Sequence, residues 1–169
     1  MKKATIYKGI YLKTKVRELS VEYKPELKES IRNDLIVGDS EGAVNALYAL
    51  IRNTAHATYE NLYGLLFNIK NAPLGYILLG KGSVCSCASN IRLLVQAALL
   101  CNAVKTILIH NHPSGGLTFS KCDYEVTKDV KAGLNLFDII LLDHILVSFD
   151  NHVSMRKILP KEEIRNYFG

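Results

Sequence analysis

His110-Asn111-His112-Pro113-Ser114-Gly115-Gly116-Leu117-Thr118-Phe119-Ser120-Lys121-Cys122-Asp123 gathers more metal-competent and polar groups at short spacing than any other stretch of the chain. The residues just before it, Ala103 to Ile109, read Ala-Val-Lys-Thr-Ile-Leu-Ile, an apolar and partly β-branched run that predicts a buried strand ending at the histidines. Residues i and i+2 of a strand share a face, so His110 and His112 project together from its C-terminal end, close enough to share one ion. Pro113 has no N–H and stops the ladder. Ser114, Gly115 and Gly116 supply a loop free to take unusual backbone angles, and Ser114 is a candidate support for the site from outside its ligand set. Ser120 predicts the N-cap of a helix running to about Leu134, with Asp123 in the first turn, able to face back towards the histidines.

Two imidazoles and one carboxylate, with a fourth position left for water, is the ligand count of a catalytic zinc site, where bound water has a pKa of roughly 7. A plainer reading stands beside this one. Ser-x-x-Asp is also a capping-box-like helix start, and a histidine at a strand end is often only hydrogen-bonded.

Taken together, His-x-His, seven residues and then Ser-x-x-Asp, placed between a strand and a helix, resemble the signature of the JAMM (JAB or MPN+) metallopeptidase family. The words His110-Asn111-His112-Pro113-Ser114-Gly115 and Leu142-Asp143-His144 resemble its RadC-type bacterial branch, and the likeness covers roughly residues 39–157. The resemblance implies an α/β fold, a mixed sheet flanked by helices in the cytidine-deaminase-like layered architecture. It implies His110, His112 and Asp123 as zinc ligands and Glu60, near the start of an earlier strand, as general acid and base. It also implies that the Ser120 hydroxyl, near the metal, helps to hold an oxyanion. Two departures from the pattern are visible. Tyr59 stands where the family usually has Arg. Asn90-Ile91-Arg92-Leu93 replaces a His-Pro-Arg-Glu stretch, so that Arg92 alone is kept.

Elsewhere the chain reads as scaffold. Val37-Gly38-Asp39-Ser40 marks a boundary between a basic N-terminal extension, residues 1–38, and the domain at 39–158, with 159–169 as a tail or short helix. Within the extension, Ile6, Ile10 and Leu12, then Leu19, Val21 and Tyr23, suggest edge strands or extended arms. Apolar residues from Val44 to Ile51 predict a helix over Glu41 to Asn53. Tyr59 to Asn68 and Leu74 to Leu79 predict a hairpin turning at Lys70 to Pro73, followed by a short strand in Gly80 to Ala88. Ile91, Leu94, Val95, Ala98 and Leu99 form a helical stripe within Asn90 to Asn102.

Asp138 to Phe149 predicts a strand interrupted by Asp143 and His144. Two such groups amid apolar residues cost several kcal/mol unless paired. They are expected to be hydrogen-bonded, either as supports of the metal site or within a polar strand-end turn. His152 and Ser154 fall on a last strand, and Lys161 to Tyr167 on a terminal helix.

The chain's 169 residues suffice for one domain with a substantial core. No apolar run reaches the ~20 residues of a membrane helix, and the Lys-rich start lacks a secretory apolar region, so a cytoplasmic protein is expected. Cys85, Cys87, Cys101 and Cys122 lack the spacing of a disulfide scaffold and are expected to stay thiols. Cys85 and Cys87 read as small strand residues rather than half of a metal site. Residues 1–32 hold nine Lys or Arg against four Asp or Glu, and the whole net charge of +5 resides there. That excess is a solvated face or a surface for nucleic acid.

The expected function is therefore zinc-dependent hydrolysis of an amide bond in a peptide or isopeptide-linked protein. A non-catalytic or DNA-associated module and a metal-dependent nuclease are the alternatives. No His-Glu-x-x-His supports a zincin, no His-x-Glu with Pro-Cys-x-x-Cys supports a nucleobase deaminase, and a TIM barrel typically needs about 250 residues. No helix-hairpin-helix pattern is visible in residues 1–38, and a homo-oligomer is compatible with the sequence without being specified by it.

Overall fold

The structure, a computed structural model, describes residues 59–82, 90–148 and 151–169. The expectations for residues 1–38, the boundary at Val37 to Ser40, the helix at Glu41 to Asn53 and the role of Cys85 and Cys87 lie outside these residues.

A five-stranded sheet has the order β2-β1-β3-β4-β5. Its strands are β1 (Glu60–Phe67), β2 (Pro73–Gly82), β3 (Lys105–Asn111), β4 (Ile140–Val147) and β5 (His152–Ser154). Strands β1 and β2 form the expected antiparallel hairpin. Its turn is held by the Asn68 side chain, whose Oδ1 accepts from Lys70 N at 2.9 Å and Ala72 N at 3.0 Å. Strand β2 continues unbroken to Gly82, so its last residues belong to the hairpin, where the sequence suggested a new strand from Gly80. Strand β3 lies antiparallel to β1 and parallel to β4, and β5 runs antiparallel to β4, which makes the sheet mixed.

Helices α1 (Ile91–Leu100) and α2 (Lys121–Asn135) cover one face, and two short helices follow, α3 (Met155–Ile158) and α4 (Ile164–Tyr167). The core on that face joins Leu62, Leu66, Leu108, Leu141 and Leu146 of the sheet with Leu94, Val95 and Ala98 of α1 and Val126, Val130 and Leu134 of α2. Gly64 permits the closest approach, because a Cβ there would sit 2.5 Å from Leu94 Cδ1. On the opposite face Tyr63, Leu65, Phe67, Ile107, Ile109, Ile145 and Val147 are buried as well. Burial on both faces explains why β1 and β3 read as continuous apolar runs rather than alternating ones.

Residues 159–169 are built into this domain. Tyr167 and Phe168 join the core, while the Arg156 guanidinium donates to the carbonyls of Leu142 at 3.0 Å and Gly169 at 3.2 Å. Helix α3 had no counterpart in the sequence reading; its four residues are too few to show a period. Of the cysteines expected to stay thiols, Cys101 is one, but Cys122 carries a disulfide bond. Spacing along a chain does not reveal which cysteines a fold brings together. No helix among the described residues is long and apolar enough to cross a membrane.

Candidate metal centre

Strand β3 runs two residues further than its apolar run, so His110 is within the ladder, paired with Leu62 of β1 and Leu146 of β4. His110 is fully buried; His112 lies just past the strand end, its side chain 18% exposed. Their Nε2 atoms approach to 3.1 Å. Helix α2 delivers Asp123 from its first turn, also fully buried, with Oδ1 3.3 Å from His110 Nε2. Glu60, at the start of β1, completes the group with Oε1 3.4 Å from His112 Nε2 and a side chain 19% exposed. One wall of the cluster is thus sealed and the other open.

The capping-box reading of Ser-x-x-Asp holds, and the same Asp123 also faces the histidines. Ser120 and Asp123 form a full capping box, with Ser120 Oγ accepting from Asp123 N at 3.2 Å. Asp123 Oδ2 accepts from Ser120 N at 2.6 Å and from Ser120 Oγ at 2.8 Å. The other oxygen, Oδ1, is buried and has no hydrogen-bond partner among the described residues. A buried carboxylate oxygen left in that state is costly unless a cation meets it.

The spacing supports the same inference. Atoms bound at about 2.0–2.1 Å around a tetrahedral ion lie about 3.3 Å from one another. Two of the observed separations, 3.1 and 3.3 Å, match that edge, the third, His112 Nε2 to Asp123 Oδ2, is longer at 3.8 Å, and ligand atoms of Glu60, His110, His112 and Asp123 all fall within 4.8 Å of one another. Burial lowers the His110 pKa to about 4, against the attraction of Asp123 and with the help of His112. The ring is therefore neutral near pH 7, the form that binds metal. These residues fit a divalent ion.

The supports around the cluster are specific. Strand β4 carries an irregularity at Leu142, because Thr106 pairs with Leu141 while the next residue, Ile107, pairs with Asp143. In a regular strand Asp143 would share the face of Leu141. The inserted residue instead turns His144 to that face, beside His110 and under α2, and Asp143 to the other. His144, fully buried, places Nε2 2.8 Å from His110 Nδ1 and Nδ1 2.7 Å from Thr127 Oγ1 of α2. Burial, and then the neighbouring histidines, lower its pKa well below the ordinary value.

Asp143 lies on the opposite face of the sheet from the cluster and is hydrogen-bonded, as one of the two expectations for it had it, with no direct contact to the cluster. Its Oδ1 accepts from His144 N at 2.8 Å and Arg156 N at 3.0 Å, and its Oδ2 from Ser154 Oγ at 2.5 Å. It locks the irregularity that turns His144 inward. Ser114 is exposed and its hydroxyl accepts from Gly116 N at 3.3 Å. It shapes the turn whose Gly116 carbonyl lies 3.2 Å from His112 Nδ1, and so bears on the cluster only through the loop.

Three contributors escaped the sequence reading. Thr127 is one helical turn beyond Asp123, a spacing visible only once Asp123 is accepted as facing inward. Phe119 is buried, its ring centroid 5.8 Å from that of His110 and 5.4 Å from that of His144, forming an apolar wall. Asn111 fastens the backbone on either side of Glu60: its Oδ1 accepts from Asn61 N at 3.0 Å and its Nδ2 donates to the Tyr59 carbonyl at 3.2 Å.

A mixed sheet flanked by helices, with His-x-His closing a strand and an inward Asp opening the next helix, defines a JAB-type α/β domain with a candidate divalent-metal cluster. The profile of the RadC-like JAB domain family matches residues 39–161, and the chain belongs to that family. A UPF0758 protein of Pseudomonas fluorescens is 32% identical over 133 residues, which cover 78% of this chain and 58% of the relative. One from Finegoldia magna is 41% identical over 98 residues, 58% of this chain and 44% of the relative. One from Trichormus variabilis is 32% identical over 118 residues, 70% of this chain and 49% of the relative. The chain spans about half the length of these curated relatives.

Proposed function

We propose that the domain is a zinc-dependent hydrolase of amide bonds in a peptide or an isopeptide-linked protein. The observation that carries this reading is the convergence of two imidazole Nε2 atoms and the orphaned Asp123 Oδ1, with the Glu60 carboxylate on the open side. His110, His112 and Asp123 would hold the ion. When bound, it supplies charge that polarises a carbonyl and lowers the pKa of water.

The chain's own groups supply the rest. Glu60, at the exposed rim, takes a proton from the attacking water and passes it to the leaving amine as the C–N bond breaks and the C–O bond forms. The Ser120 hydroxyl donates a hydrogen bond to Asp123 Oδ2, so here it positions a ligand, and the oxyanion role would require it to leave that bond. Asn111 holds the Glu60 backbone in place. Glu60→Gln should keep the metal and lose peptide hydrolysis by about 100-fold or more. Unchanged turnover would remove this role, and loss of the metal would make Glu60 a ligand instead.

A second reading is favoured by the charge excess in residues 1–32, nine basic against four acidic. On this reading the domain is a non-catalytic, DNA-associated module, or a nuclease using the same ligands. Binding to duplex DNA that weakens steeply with salt, and is lost on removing residues 1–38, would support it.

A further inference from the structure

We propose that Thr127 and His144 form a proton-ordered relay that fixes the tautomer of His110, so that its Nε2 lone pair is presented to the candidate metal cluster. The inference rests on the metal reading for its purpose, but not for its derivation.

The order follows from what each atom can give or accept. Thr127 Oγ1 lies 2.5 Å from the carbonyl oxygen of Asp123, one turn earlier in α2. A carbonyl oxygen only accepts, so the single hydroxyl proton of Thr127 lies in that contact. At its second contact, 2.7 Å from His144 Nδ1, Thr127 must then accept, which puts a proton on His144 Nδ1. The His144 ring is fully buried, and its polar contacts among the described residues are Thr127 and His110, neither of them a carboxylate. A charged ring there would be uncompensated, so the ring has one proton and its Nε2 is a lone pair. That lone pair, 2.8 Å from His110 Nδ1, draws the His110 proton to Nδ1. His110 Nε2 is left as a lone pair pointing towards His112 and Asp123. Asp123 Oδ1, 3.3 Å from that nitrogen, is left to face the same ion.

The relay also links the two ends of the ligand set. Thr127 is anchored on the backbone of Asp123, while its other contact sets the orientation of His110 through His144. Thr127 and His144 are positioning residues, since neither touches the cluster's open side.

The test uses the full chain with zinc as probe. Histidine ring nitrogen spectra of the metal-free protein should show His110 and His144 protonated at Nδ1. Thr127→Val, which keeps the shape and removes the hydroxyl, should shift His110 towards the Nε2-protonated form and weaken zinc about 10- to 100-fold in competition with a chromophoric chelator. Thr127→Ser should restore both properties. His144→Gln, whose Oε1 can still accept from His110, should bind zinc better than His144→Leu. An Nε2 proton on His110 in the parent would overturn the relay, as would equal zinc affinity of the parent and Thr127→Val with matched thermal stability. Zinc failing to bind the parent while His110 keeps its Nδ1 proton would sink the metal reading and uphold the proton order.

Discussion

Replacing Asp143 by Ala tests the link between the strand irregularity and the site. Asp143 accepts three hydrogen bonds, from His144 N, Arg156 N and Ser154 Oγ, and is 5% exposed. Each stranded donor costs about 1–3 kcal/mol where water cannot reach it. Arg156 N is the most accessible of the three, so the net loss expected is about 3–5 kcal/mol. Asp143→Asn behaves differently. Its carbonyl oxygen can accept both backbone N–H groups and its amide can donate to Ser154 Oγ, so every partner is kept.

The acidity of Asp143 adds a pH signature. Burial raises its pKa above the ordinary 3.8, opposed by the bonds from Ser154, Arg156 N and His144 N and by the Arg156 charge. A raised folded-state pKa means that the folded protein holds the proton more tightly. The stabilising contribution is present below 3.8 and is lost as pH rises through the elevated value. Urea unfolding of metal-stripped protein from pH 3.5 upwards should show parent and Asp143→Asn diverging in the parent's disfavour as pH rises. Near pH 7, Asn should be as stable as Asp or more so, and Ala much less stable. An Ala variant within about 0.5 kcal/mol of the parent, or a parent that gains on the Asn variant with rising pH, would refute the reasoning.

Other perturbations act closer to the cluster or to the packing that holds it. Gly64→Ala would press a methyl to 2.5 Å from Leu94 Cδ1, whose side chain is fully buried, and should cost about 1–3 kcal/mol in chemical denaturation without altering zinc stoichiometry. Ser120→Ala removes the helix cap and one donor to Asp123 Oδ2; a loss of about 1 kcal/mol and a measurably weaker zinc affinity are expected by thermal melting and chelator competition. Asn111→Leu releases the backbone around Glu60 and should depress kcat of peptide hydrolysis more than zinc affinity, as steady-state kinetics beside metal titration would show.

The parts of the site legible in the sequence were those written in contiguous residues. A strand period carried His110 and His112 to one place, and a cap signal carried Asp123 to the start of α2, because both rules act within a few residues. The two readings of Ser-x-x-Asp do not exclude each other, since Asp123 Oδ2 caps the helix while Oδ1 lies 3.3 Å from His110 Nε2. Asp143 and His144 show where local rules end. Which of them faces the histidines depends on the extra residue at Leu142, and that is fixed by Ser154 and Arg156, across the sheet from His110. Thr127 and Asn111 were equally hidden, because a single hydroxyl or amide has no period and acquires meaning only from its partners.

The most direct test of the account is the zinc content of tag-free protein by elemental analysis, comparing the parent with His112→Ala and Asp123→Asn. About one zinc per chain in the parent, lost in both variants while their folds persist, is the predicted result. A parent that takes up no zinc after reconstitution, or variants that keep it, would contradict the assignment of this cluster as a metal centre.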